Sequence, residues 1–187
     1  MESSTATEAT TWAIDVNHST VEFAAKHMMI TTVKGRLPSF SGSIITNESD
    51  PAKSSVAVEF DAASIDTRAE QRDEHLRSAD FLDVANYPTI KFVSRGFEGI
   101  KLEPGAEFVM IGDLTIRDVT REVRLDVTFE GTGQDPWGGE RISFSAKGKI
   151  DRRDFGLTWN AALETGGVLV SNDLKLEIAV QGVKQAQ

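Results

Sequence analysis

The 187-residue chain contains no cysteine, so neither a disulfide nor a thiolate metal site can form. That absence is compatible with any cellular compartment. Histidine is almost as scarce, occurring at His18, His27 and His75. Three imidazoles can ligate zinc, but these share no metal-type spacing and no metal site is expected. Turn capping and polar contacts are their expected roles, with Lys26-His27 also a candidate for meeting a ligand headgroup. Positive charge is outweighed, 20 Lys and Arg standing against 29 Asp and Glu for a net charge of -9. The basic residues are interleaved with acids, and without a basic patch nucleic-acid phosphates would be repelled. No apolar run approaches the roughly 20 residues of a membrane-spanning helix. A nucleophile elbow is also missing. Asp154-Phe155-Gly156 has no glycine-rich loop or catalytic-loop pattern beside it, so it reads as a turn and not as a kinase metal triplet.

The opening stretch MESSTATEATT lacks the basic start and apolar core of a secretory signal. It reads as a disordered tail over residues 1–11, on a chain that is cytoplasmic as given; a periplasmic or secreted mature chain with an added initiator Met would read the same. With no internal repeat and no linker, residues 12–187 form one domain, long enough to bury a core. An apolar share of 40% with 26% charged residues is ordinary for a soluble globular chain.

Alternating apolar and polar residues fill most of the chain. Trp12, Ile14 and Val16 are followed, after an Asn17-His18-Ser19 turn, by Val21, Phe23 and Ala25. Residues 27–30 break the alternation, which predicts a bulge or a strand covered on both faces. Gly35 to Gly42 continues as a bent strand, with glycines where side chains would obstruct close packing. The pattern returns at Val56, Val58 and Phe60, at Ile90 and Phe92, and at Phe108, Met110, Leu114 and Ile116 around a kink at Gly112. Val123–Phe129, Ile142–Ile150 and Leu174–Val180 complete it, with glycine turns at Gly96–Gly99, Gly131–Gly139 and Gly166-Gly167. Strands with one apolar and one charged face imply an antiparallel sheet around one core. Closure into a barrel removes the exposed edges. A barrel of about eight strands is either filled by side chains or holds one elongated ligand. Thr67 to Ile90 is the exception to alternation. Thr67 and Glu70 have capping-box spacing, and Ile65, Ala69, Arg72, Leu76 and Ala79 fall at helical intervals. Asp73 and Arg77 are spaced for an ion pair, and Tyr87-Pro88 ends the segment. A short charged helix against the barrel is predicted, its apolar side closing something.

Five separated motifs stand out in order. They are Trp12-x-Ile14-Asp15-x-x-His18-Ser19 with Phe23 and Lys26-His27, then Gly35-x-x-x-x-Phe40-x-Gly42. Next comes Arg72-Asp73-x-His75-Leu76-Arg77-Ser78-x-x-Phe81, running on to Tyr87-Pro88 and Phe92-x-Ser94. Gly112-Asp113-Leu114-Thr115-Ile116 with Val119-Thr120, and Arg153-x-Phe155-Gly156 near Trp159-Asn160, complete the set. Together, from Trp12 to about Val183, they resemble the YceI-like family of polyisoprenoid-binding, lipocalin-like proteins. Leu37 replaces an aromatic common in that family, and Asp118 a usual loop glycine. The resemblance implies an all-β fold: an extended eight-stranded antiparallel lipocalin-like barrel with a short helix and loop over one side. It also implies an apolar tunnel for a long-chain isoprenoid, a quinone or a fatty-acyl lipid, a frequent periplasmic location, and a homodimer.

Burying a hydrocarbon chain gains about 0.8 kcal/mol per CH₂, or on the order of 16 kcal/mol gross for roughly twenty carbons. Immobilisation and desolvation offset much of it. The candidate lining is Phe23, Phe40, Phe60, Leu76, Phe81, Phe92, Met110, Leu114, Ile116, Phe144, Phe155 and Trp159, at inward-phase or helix-stripe positions. Arg72 has two readings. With Asp73 it fastens an ion-paired helix to the barrel rim, or it projects towards a bound headgroup. The leading function is non-enzymatic carriage or storage of a lipid, with no cofactor. One rival is an isomerase- or hydrolase-like enzyme using His18, His75 or Asp73 as acid–base groups; another is a filled barrel serving as an interaction module.

Overall fold

The computed structural model describes residues 9–186. Among them are the strands β1 (Ala9–Ile14), β2 (Thr20–His27), β3 (Thr31–Arg36), β4 (Phe40–Asn47), β5 (Ser55–Asp61), β6 (Thr89–Glu98), β7 (Glu107–Ile116), β8 (Val119–Gln134), β9 (Glu140–Asp151) and β10 (Asp173–Lys184), with one α-helix, α1 (Glu70–Arg77). The sheet runs β1-β4-β5-β6-β7-β8-β9-β10 and returns to β1, so eight antiparallel strands close into a barrel. Among the described residues no helix is long and apolar enough to cross a membrane. Residues 1–8 of the expected tail lie outside the described residues. Ala9, Thr10 and Thr11 are not tail but strand, opposite Asn47, Thr46 and Ile45 of β4.

β1 and β2 lie end to end along one edge of β10. Trp12 to Ile14 face Lys184 to Gly182, and Thr20 to Ala24 face Ala179 to Lys175. A 3-10 turn over Val16–His18 joins them, and the Asp15 carboxylate accepts the Asn17 N–H there at 3.0 Å. β4 and β3 mirror this arrangement, pairing with β1 and β2 respectively. The four strands are thus one long bent hairpin, its base in the barrel wall and its tip at residues 28–30. The bulge or doubly covered strand expected at that tip is absent. The Ile30 N–H donates to the His27 carbonyl at 3.2 Å, and Met28 and Met29 have φ of 52° and 64°. The two positive φ values and the bond are those of a type I′ turn, with Ile30 left as an extra residue before the His27–Thr31 pair. Alternation fails there because the chain reverses.

Inward-facing residues of neighbouring strands, such as Phe108, Met110, Leu114 and Ile116 on β7 and Val123, Leu125, Val127 and Phe129 on β8, make one continuous core. Outward-facing charges pair across strands, Arg95 with Asp113 and Glu122, and Arg124 with Glu98. Gly35 and Gly112 let aromatic rings lie across the sheet, since a Cβ at either would collide with Phe23 or Phe92. Gly131 marks a bulge opposite β9, not a turn, so β8 runs on to Gln134 before the chain reverses at residues 135–139.

α1 starts differently from the capping-box expectation. Its N-cap is Ala69, without a side-chain cap. Thr67 is held from inside the helix instead. Asp73 accepts its N–H at 2.9 Å and its hydroxyl at 2.5 Å, while Arg72 donates to that hydroxyl at 2.7 Å and to the Thr67 carbonyl at 2.8 Å. Asp73 is buried by this arrangement. A buried carboxylate needs its donors close at hand, so the predicted Asp73–Arg77 pair does not form. Arg77 turns to Glu70 and to the carbonyls of Ala63 and Ile65.

Candidate functional site

The barrel is hollow. A cavity of about 420 Å³ extends along its axis, with an almost wholly aliphatic and aromatic wall. Wall positions on β10 run from Leu174 to Val180, which at strand spacing is roughly 20 Å. Phe23, Phe40, Phe60, Arg72, Leu76, Phe81, Phe92, Met110, Leu114, Ile116, Phe144 and Trp159 all reach the wall. Phe155 does not. It sits in the 3-10 turn Arg152–Phe155, closed by Gly156 at φ 77°, and is buried in the core away from the cavity. Inward strand phase carries no information about a residue in a turn.

Among the described residues, the wall members that are also exposed are Lys26, His27 and Arg72. They place the mouth between the β2–β3 tip, the start of α1 and the connection over residues 157–172. That connection is stitched to β2. The Met28 N–H donates to the Leu169 carbonyl at 2.8 Å, the Ser171 N–H to the Lys26 carbonyl at 3.0 Å, and the Lys26 N–H to the Ser171 hydroxyl at 2.9 Å. It meets α1 through Trp159, edge-on to His75 at 4.5 Å and tilted against Phe81 at 5.4 Å. His75 Nε2 lies 2.9 Å from Asp80 Oδ2, which fixes the ring against the tryptophan.

Arg152 is the site residue that sequence reasoning missed. Only 2% exposed, it lines the cavity and donates to the carbonyls of Leu157 at 2.6 Å, Trp159 at 2.8 Å, Ser171 at 2.9 Å and Val170 at 3.4 Å. Both arms of the 157–172 connection are gathered on one guanidinium. Burial pushes its pKa below the usual arginine value, although an arginine remains charged. The neighbouring Asp151 is paired with Arg153, which holds that carboxyl down to about 2. In the sequence, Asp151-Arg152-Arg153-Asp154 reads as a solvated charged turn, so nothing singles out the middle cation.

The acid–base candidates do not converge. His18 lies outside the cavity wall, 2.8 Å from Asp15, whose carboxyl the Arg141 guanidinium holds below its ordinary value. Asp73 faces Thr67, and His75 alone of the three reaches the wall. Among the described residues no group of three or more His, Asp or Glu is placed to hold a metal ion.

Residues 12–182 match the family model described as the YceI-like domain. The chain belongs to the YceI-like family. Its relatives include a UPF0312 protein of Serratia proteamaculans, 38% identical over 167 residues that cover 89% of this chain and 82% of the relative. Protein YceI of Escherichia coli O157:H7 is 38% identical over 168 residues, covering 90% and 83%. A solved YCEI protein of Campylobacter jejuni superposes with a TM-score of 0.72 at 31% identity, covering 86% of this chain and 90% of that one. Burkholderia cenocepacia BcnA gives 0.75 at 21% identity, covering 90% and 98%. A polyisoprenoid binding domain from Saccharophagus degradans gives 0.67 at 15% identity, covering 93% and 98%. The last two likenesses show the fold alone. The YceI-like barrel expected from the five motifs, eight closed strands with one short helix, is the architecture found.

Proposed function

We propose that this YceI-like barrel binds a long-chain lipid of the isoprenoid class, a polyprenyl chain, a prenyl quinone or a comparable fatty-acyl chain, and carries or stores it unaltered. The continuous apolar cavity carries this reading. Its volume of about 420 Å³ lies within the roughly 300–1,000 Å³ usual for ligand sites, and its length suits a chain better than a compact molecule. Every CH₂ taken from water into such a wall contributes about 0.8 kcal/mol. Arg72, Lys26 and His27 at the mouth are placed to meet a polar or anionic headgroup while the chain lies inside. The same fold in a polyisoprenoid binding domain supports the ligand class. The hollow interior favours a carrier over a filled interaction module, and the scattered acid–base groups favour it over an enzyme.

The test is organic extraction of the purified protein with mass spectrometry of the extract, followed by uptake assays with added polyprenol, prenyl quinone and fatty acid. One lipid bound per chain, recovered unchanged after incubation, is the expected result. A clean extract together with failure to take up all three would sink the reading. Recovery of a chemically altered lipid would sink its non-enzymatic part.

A further inference from the structure

Three features coincide at the tip of the bent hairpin, and, Lys26 apart, holding a lipid inside the barrel needs none of them. The first is apolar exposure. Met28, Met29 and Ile30 are 46%, 60% and 78% exposed in succession, and Val168 of the neighbouring connection is 36% exposed. Met29 packs so closely on that connection that a Cβ on Gly167 would strike its sulfur, so the two apolar segments form one surface beside the mouth.

The second is backbone conformation. Met28 and Met29 are left-handed at the two central turn positions where Asn-Gly is preferred. Residues with side chains are strained there. The hairpin therefore presents two thioethers to solvent at a cost to its own stability.

The third is charge. Lys149 of β9 stands opposite Lys175 of β10, Lys175 opposite Ala24 of β2, and Ala24 opposite Lys34 of β3. Three lysines thus occupy one cross-strand row, with Lys26 on the same outward face next to the tip. All four are exposed. Among the described residues only Lys149 of this group has a carboxylate partner, Asp173 at 3.5 Å. Like charges directly opposite one another destabilise a sheet. The rows on either side mix both signs: Lys147, Glu177, Glu22 and Arg36 away from the tip, and Asp151 with Asp173 towards it, those two carboxylates being held by Arg153 and Lys149.

We propose that this tip docks the protein, mouth first, on an anionic lipid bilayer. Methionine and isoleucine enter the boundary between headgroups and acyl chains, while the lysine row meets the headgroup phosphates. A second copy is the disfavoured occupant, because it would set lysine against lysine. Docking goes beyond the carrier reading, and only its purpose, exchange of lipid between bilayer and cavity, rests on that reading.

Co-sedimentation of the full chain with vesicles tests it, using phosphatidylcholine alone and phosphatidylcholine mixed with phosphatidylglycerol. Binding is expected to the mixed vesicles only, and to weaken as salt is raised. Lys34→Gln and Lys175→Gln should each weaken it on the order of fivefold, and Ile30→Ser about tenfold. The double change Met28→Asn with Met29→Gly supplies the preferred turn pair, so it should raise the melting temperature while weakening docking; loss of fold cannot produce that combination. No binding to the mixed vesicles, equal binding to phosphatidylcholine alone, or indifference to all of these substitutions overturns the proposal. So does self-association that Ile30→Ser abolishes, which would make the second copy the occupant. Uptake of polyprenol added without vesicles reads the cavity separately. Docking without uptake sinks the carrier reading alone, and uptake without docking sinks this proposal alone.

Discussion

Arg152→Met keeps most of the buried side-chain volume and removes every donor. Three carbonyls held at 2.6, 2.8 and 2.9 Å, and a fourth at 3.4 Å, lose their partner. Hydrogen bonds to a charged group contribute about 1.5–3 kcal/mol each, so three would sum to roughly 5–9 kcal/mol if the connection stayed in place. A cheaper route exists. Residues 158–171 can swing out and let water reach those carbonyls, losing chiefly the packing of the half-buried Trp159, Leu169 and Val170 on the cavity wall while the buried Leu157 stays. Giving up these three half-buried contacts costs about 2–4 kcal/mol, and the lower of the two costs sets the outcome. The substitution should therefore open the connection locally. Amide hydrogen exchange is the assay, since Leu169 and Ser171 of this region donate to Ala161 and Lys26. Their protection should fall on the order of 30- to 1,000-fold, while amides in the β7–β8 ladder change little. Arg152→Lys, a point charge without the planar fork, should fall between. Unchanged exchange over residues 158–171, or an equal loss throughout β7 and β8, would refute the clasp and leave Arg152 as an ordinary core residue.

Ala146→Phe builds a ring into the cavity from a buried wall position. It should abolish lipid uptake at a stability cost of about 1–3 kcal/mol, read by uptake and urea unfolding together. Gly112→Val sets side-chain atoms where the Phe92 ring lies. It should cost more than about 2 kcal/mol, and adding Phe92→Ala should recover part of the loss in a double-mutant cycle. Arg153 lowers the Asp151 pKa from 3.8 to about 2 in the folded chain. A depressed carboxyl contributes stability that is fully present above about pH 4 and lost as the pH falls towards 2. With Arg153 57% exposed, solvent screening leaves on the order of 1 kcal/mol. Arg153→Gln should remove this part of the acid sensitivity, measured by thermal unfolding between those limits.

The strands were legible because each has one wet and one dry face, and a period of two survives any tertiary detail. The same phase placed Phe92, Met110, Leu114 and Phe144 on the cavity wall. Whether the interior was hollow was not legible, since alternation reports where side chains point and not how much volume they leave. Arg152 was invisible for another reason. Its partners are backbone carbonyls brought from as far as Ser171, and a carbonyl has no letter in a sequence. At Thr67 the letters fitted a capping box, but burial of Asp73 redirected the hydroxyl. The tip misled because a type I′ turn normally carries Asn or Gly, and Met28-Met29 gives the opposite signal.

The pairing of Trp12 with Lys184 places the barrel's seam between its first and last strands, about 170 positions apart. Loop-closure entropy makes so distant a contact late in folding. β4 can pair with β1 early, whereas β10 becomes available only after every other barrel strand has emerged. Until then the molecule is an open sheet with an uncovered apolar face. The seam lies at the end of the hairpin away from the tip, so a short peptide joining β10 to β1 would leave the mouth clear. A permuted chain with that link, and new ends in the turn between β8 and β9, moves the seam to the β8–β9 ladder. It should reach the same barrel, with closure of that ladder as its late step.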